Sequence, residues 1–376
     1  MKVPPLYAGG FSIPAVTATF SANGNIDVSR LASLVSSDTN VVQVLADNSL
    51  QAVGQGAATL TASFLSAQTN QTVPVIATLP PAQLIHRYSF SETQGATNLV
   101  DSVGSANGIL DGAANATLGS GQLTLPGGTP NADGTFNTGS AYVDLPAGLI
   151  SGLTNATFEA WVTWNDSSGT AWERIFDFGT SIAGQGLQNG GVSYLLLTPE
   201  SSDGVVRTEL RPAEGRPDEI LETSAPLPVG TESYVAVVYN YSQHNFLIYT
   251  NGLLAGSMTT TVPLNDIKDV NDWLGRSQFE DPFFNGSYDE FRIWNGVLTA
   301  SQIAQDYASG PNAVPVPITL QAKLSGRSVV LTWTGGTLLE SANVAGPYTA
   351  VGGNPTSPYT VTPTGPRMFY RVQASP

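Results

Sequence analysis

Apolar and polar residues alternate in short runs along most of this chain, and Gly, Asn, Asp and Pro separate the runs. A period of two marks strands that bury one face. Residues 15–20 (AVTATF), 41–45 (VVQVL) and 56–64 (GAATLTASF) have this form, and in the last of these Ala58, Leu60, Ala62 and Phe64 share a face. Asn23-Gly24 and Asp47-Asn48 are turn signals between them. The pattern continues through residues 84–90 (LIHRYSF), 141–145 (AYVDL), 156–162 (ATFEAWV), 172–179 (WERIFDFG) and 246–252 (FLIYTNG). Residues 298–303 (LTASQI) depart from it and predict one short helix near 299–307. The fold class is therefore all-β.

The richest stretch is 273–294, WLGRSQFEDPFFNGSYDEFRIW. After the Asn285-Gly286 turn, strict alternation puts Tyr288, Glu290, Arg292 and Trp294 on one face and Asp289, Phe291 and Ile293 on the other. Phe291 and Ile293 should face a core, so Asp289 is expected to face it too. A carboxylate there needs an arginine, several backbone N–H groups or a metal. Arg87 is the first arginine to consider.

Proline punctuation divides the chain. Residues 1–78 form a small β-sandwich, 79–83 a proline-rich linker, 84–310 a large β domain, 311–317 (PNAVPVP) a second linker and 318–376 a small β unit. In the last unit, residues 329–333 (VVLTW) and 368–372 (MFYRV) are the clearest strands. The opening strand of the first domain is weak, because two prolines in Val3-Pro4-Pro5 cannot donate to a ladder.

The order and spacing of the strands over residues 84–309, closed by GSYDEFRIWNGVLTASQI, resemble laminin-G-like, concanavalin A-type jelly rolls of bacterial secreted proteins. The resemblance implies a two-sheet antiparallel sandwich with neighbouring opening and closing strands, and no particular ligand. Residues 27–64 resemble the second group of bacterial immunoglobulin-like domains, and the C-terminal unit resembles part of a fibronectin-III-like module. Laminarinase-type glycosidases share the jelly roll and place two catalytic carboxylates about 5 Å apart on one strand face. No such run occurs here: Glu219 and Glu222, three apart, should face opposite ways.

Composition narrows the partners. Lys and Arg number 14 against 29 Asp and Glu, a formal charge of −15 that repels phosphate backbones and anionic lipid. Nucleic acid is excluded as a partner, and no run approaches the ~18 apolar residues of a membrane helix. Cysteine is absent, and zinc would rest on His86, His244 and carboxylates, which are too dispersed. The low charge and abundant turn residues suit a secreted, extracellular or cell-surface protein, and the expectation is that a signal peptide has been removed.

Two clusters could carry chemistry. Asp101 and Asn107 in a turn-rich segment, with Asp289 of the closing strand, could offer oxygens to a structural calcium that staples the two ends of the domain. The alternative is that Asp101 caps a turn and Asp289 pairs with an arginine. Trp172, Arg174, Asp177, Arg276, Gln278 and Asp281 combine an aromatic face with planar polar groups, which suits a sugar; they could equally form an internal network around Asp177 and Arg276. The favoured function is non-catalytic binding of a polysaccharide or other glycan by the central domain. The competing one is a fibre subunit that uses the weak N-terminal strand to pair with copies of itself.

Overall fold

In the computed structural model, the strand Asn285–Asn295 is the spine of the central domain. Residues 1–376 are described apart from 4–5, 8–10, 13, 22–23, 30, 47, 77–78, 166–170, 214–215, 314–319, 334–335, 345–346, 364, 366 and 374–376. The two expected turns at Asn23 and Asp47 and most of the 311–317 linker lie outside the described residues. The chain divides into two compact units, Met1–Pro311 and Asn312–Pro376.

The spine runs antiparallel to Asn155–Trp164 along one side. Along its other side Gln122–Pro126 pairs with its first half and Gln83–Tyr88 with its second. Glu232–Asn240, Asn245–Thr250 and Leu253–Thr259 extend this sheet, here sheet I, beyond Asn155–Trp164. The facing sheet II runs in the order Asn98–Leu99, Gly108–Asp111, Tyr142–Leu145, Asn271–Leu274, Phe176–Ser181, Gly191–Thr198, Arg207–Arg211, Glu219–Glu222. The inward positions of both sheets, among them Phe158, Phe176, Phe178, Leu195, Val237, Leu274, Phe291 and Ile293, close one apolar core. The expected two-sheet jelly roll is what the chain forms.

One extra residue in the spine changes which side chains the core receives. Trp161 pairs with Glu290 and Val162 with Tyr288, so Asp289 is left over in a β-bulge. The bulge shifts the alternation by one position. Tyr288 thereby joins Phe291 and Ile293 inside. Asp289 does not face the core as expected; it is half-buried and accepts two hydrogen bonds from the Gln122 amide, at 3.0 and 3.2 Å.

The other face of the spine is also buried. Glu290, Arg292 and Trp294 join Glu159, Trp161 and Tyr234 on the outside of sheet I, where Leu298, just ahead of helix Ala300–Ser309, and Ile303, within it, pack against the aromatic residues. Thr299 caps this helix in a capping box with Gln302, which fixes its start where the sequence predicts it. Beneath it, Glu159 accepts from the Tyr234 hydroxyl (2.6 Å) and the Trp294 indole. Arg292 donates to Glu290 at 2.7 Å, and Arg87 donates to the same carboxylate. Neither arginine serves Asp289.

Ahead of the jelly roll, the described N-terminal residues form three small sheets with two apolar clusters, one around Leu6, Val42, Leu50, Leu60 and Val75 and one around Val16, Val28, Leu34 and Ala62. The weak opening strand forms after all: Leu6–Tyr7 pairs in parallel with the last strand of its domain, Leu6 opposite Val75. The fibre reading needed that position open. The C-terminal unit has two three-stranded sheets among the described residues and its own core of Leu331, Trp333, Leu338 and Val351.

Candidate functional site on the outer face of sheet II

In strand Phe176–Ser181, Phe176 and Phe178 enter the core and stack at 4.9 Å, so alternation turns Asp177 outward. The same logic turns Tyr142, Tyr194, Leu196, Glu209 and Trp273 outward from neighbouring strands. Loops crossing the face at residues 127–140, 182–190 and 275–284 cover most of it. Where they stop, a cleft of about 210 Å³ remains, lined by Trp172, Arg174, Tyr194, Leu196, Glu209, Phe279 and Asp281.

All six residues proposed from the sequence meet here, but in two layers. Trp172, Arg174 and Asp281 line the cleft. Asp177, Arg276 and Gln278 are fully buried next to it. Arg174 links the layers. It donates to the Trp172 carbonyl at 2.5 Å, to Asp281 at 2.7 Å and to Asp177 at 3.3 Å. The Gln278 N–H adds a bond to the same Asp177 oxygen at 3.0 Å. Burial outweighs Arg174 and this N–H, with Asp281 adding repulsion, and pushes the Asp177 carboxyl up to about 7. Gln278 bonds Asn271 through both ends of its amide. Arg276 stacks on Trp273 (4.2 Å) and Tyr142 (4.6 Å). These three residues are engaged internally, but Asp177 pairs with Arg174 rather than with Arg276, which donates to Gln188 and Gly186 instead.

Gln188, buried and unflagged by the sequence reading, holds the wall of the cleft. Its amide nitrogen donates to the carbonyls of Phe279 (2.9 Å) and Asp281 (3.2 Å), and its oxygen accepts from Arg276 at 2.8 Å. One side chain therefore fixes the backbone of two cleft residues. Phe279 meets Tyr194 edge-on at 5.5 Å. Gly191 makes that approach possible, because a Cβ there would stand 2.6 Å from both rings. Tyr194 donates to Glu209 at 2.7 Å, and burial with the Glu209 charge keeps that hydroxyl protonated.

Trp172 has a backbone φ of 81°, in the left-handed region that bulky residues avoid. Its N–H donates to the Glu200 carbonyl at 2.9 Å and its carbonyl accepts from Arg174, so both neighbours hold the strained geometry. The guanidinium groups of Arg207 and Arg174 lie 4.9 and 5.4 Å from the ring. Strain of this kind, of order 1–3 kcal/mol, persists only where the surroundings over-determine it, and it clusters at binding sites.

The residues expected to bind calcium are each engaged by protein donors. Burial works to raise the Asp101 carboxyl, but His86 and the N–H groups of Gly104, Arg87 and Ala106 outweigh it and hold it below the usual carboxylate range. Both its oxygens already face donors, and a cation would have to displace them. The Asn107 amide oxygen accepts from the Asp101 N–H at 3.0 Å, and Asp289 is occupied by Gln122. Among the described residues no group of three or more His, Asp or Glu could hold a metal. The donor set fits a capped turn.

Residues 137–304 match the family model of the Concanavalin A-like lectin/glucanases superfamily. No curated protein matches the chain. Among solved structures, domain 4 of AbnA, a GH43 extracellular arabinanase from Geobacillus stearothermophilus, in complex with arabinotriose, is 23% identical, with 60% of this chain and 98% of that one covered, at a TM-score of 0.43. The Ruminococcus gnavus IT-sialidase CBM40 bound to alpha2,3 sialyllactose is 17% identical, with 49% of this chain and 95% of that one covered, at a TM-score of 0.38. The matched segment, residues 137–304, lies within the two-sheet domain described above and resembles that superfamily.

Proposed function

We propose that this is a secreted, non-catalytic glycan-binding protein whose sheet II cleft receives a sugar residue. The carrying observation is the cleft itself. Rings of Trp172, Tyr194 and Phe279 stand beside Arg174, Glu209 and Asp281, the mixture of apolar surface and directional polar groups that small-molecule sites use. Aromatic rings suit the C–H faces of sugars, and carboxylates accept from their hydroxyls. The superfamily named for lectins and glucanases is consistent with this reading.

The acidic pair nearest to a glycosidase pattern is engaged elsewhere, which supports the non-catalytic part of the reading. Glu219 is buried and accepts from Thr261, whereas Glu222 bonds Arg207. They serve separate structural partners.

A glycan array probed with the full chain tests the proposal. Wild type is expected to bind a defined set of glycans, and Trp172→Ala to weaken that binding at least tenfold. No reducing sugar should be released from the bound glycans. Binding that survives Trp172→Ala would place the ligand elsewhere, and steady hydrolysis would refute the non-catalytic part.

A further inference from the structure

The charges around the cleft narrow the ligand class, on the premise that the cleft binds glycans. Three guanidinium groups stand at or beside it, and each already holds carboxylates. Arg174 is committed to Asp177 and Asp281. Arg207 lies 2.5 Å from Asp203, 2.6 Å from Glu222 and 3.6 Å from Glu209. Arg211 is held by Asp218 at 2.5 Å, a partner that raises its already high pKa further. Six carboxyl groups thus surround three cations, and five still outnumber them where Asp177 is protonated.

An incoming carboxylate or sulfate would meet this excess of like charge. To form a bidentate pair it would first have to displace a resident carboxylate from Arg174, whose side chain is almost fully buried. Uncharged hydroxyls carry no such penalty. They can donate to Glu209, or to Asp281, whose side chain keeps 24% of its surface exposed at the cleft. The volume, about 210 Å³, suits one sugar residue rather than a chain laid along a groove.

We infer that the cleft selects uncharged sugar residues and rejects sialic acid, uronic acids and sulfated sugars. Glu209 and Asp281 are the residues that set this selectivity. Hydroxyl-rich terminal residues of neutral polysaccharides are the ligand class.

The test uses the full chain and matched oligosaccharide sets, neutral gluco-, galacto-, manno- and arabino-oligosaccharides against sialylated, uronate and sulfated ones, at two ionic strengths. Neutral ligands are expected to bind at least tenfold more tightly than any acidic one. Raising the salt should narrow the gap, because screening weakens repulsion. Asp281→Asn should raise the ratio of acidic to neutral binding several-fold. Tighter binding of an acidic set by wild type would overturn the selectivity and leave glycan binding standing. An unchanged ratio in Asp281→Asn with intact melting behaviour would overturn the assignment to Asp281. Binding to neither set would overturn the glycan reading, and this inference with it.

Discussion

The two outer faces of the jelly roll make a useful contrast. Both carry charged and aromatic residues where an exposed sheet face usually carries ordinary polar ones. On sheet I, Glu159, Glu290, Arg292, Trp161 and Trp294 lie beneath a helix and are sealed. On sheet II, Asp177, Arg276 and Gln278 are sealed by loops, but Trp172 and Asp281 beside them stay partly open. The same residue types are therefore fully sealed on one side and left partly open on the other. What separates them is the covering element: a capped helix closes its face along its length, whereas loops leave a gap where they end.

The contrast would break first at Arg292. Removing it leaves Glu159 and Glu290 buried near too little positive charge, a loss typically worth about 3–5 kcal/mol. At roughly 2–4 °C per kcal/mol for a domain of this size, Arg292→Ala should lower the melting temperature by on the order of 10 °C in a circular dichroism melt. A shift under about 2 °C would mean that sheet I does not depend on its buried charges.

Trp172→Gly sharpens the other side. Glycine accepts the positive φ, so the variant should melt at or slightly above the wild-type temperature while losing at least tenfold in glycan affinity. Equal losses of both would make Trp172 a structural residue like those under the helix.

Titration gives a smaller, distributed effect. Asp177 is raised to about 7, by burial above all. Asp306, on the buried face of the helix, is raised to about 8 by burial and then by the Glu159 charge. Both folded values exceed the unfolded one, so the native state holds extra protons between about pH 4 and 8, and its stability falls as pH rises through that window. Asp101 works oppositely: its lowered carboxyl contributes above the ordinary carboxylate range and is lost as pH falls below it. Melting temperature should therefore peak in mildly acidic buffer and decline towards pH 8. Asp306→Asn should flatten the upper part of that decline and Asp177→Asn the part near neutrality; a profile rising through neutrality would contradict both assignments.

The smallest change is expected at the bulge. Asp289→Ala removes only a half-buried carboxylate bonded to Gln122, and surface changes of this kind usually stay within about 0.5 kcal/mol. Excess chelator should leave the melting curve of wild type and variant alike. A fall of 5 °C on chelation, absent in the variant, would restore the calcium reading.

These residues show what alternation can and cannot disclose. Period two located the strands, and its loss at residues 298–303 marked the helix. It failed at Asp289 because a single unpaired residue inverts every face beyond it, and nothing in SYDEFRIW marks where the extra residue sits. Tyr194, Glu209 and Phe279 escaped notice because each is unremarkable in its own strand or loop. One signal was available: in Tyr194-Leu195-Leu196-Leu197 apolar residues occupy both faces, which requires a cover on the outside as well as a core within. Gln188 gave no signal, since its role depends on three loops meeting.

The pairing of Gln83–Tyr88 with Asn285–Asn295 also bears on how such a domain travels between proteins. First and last strands lie side by side, so the chain enters and leaves within the span of one strand pair. A segment with that property can be spliced into the surface loop of an unrelated host without prising the host apart. Its portability is a matter of plumbing: inlet and outlet share one flange.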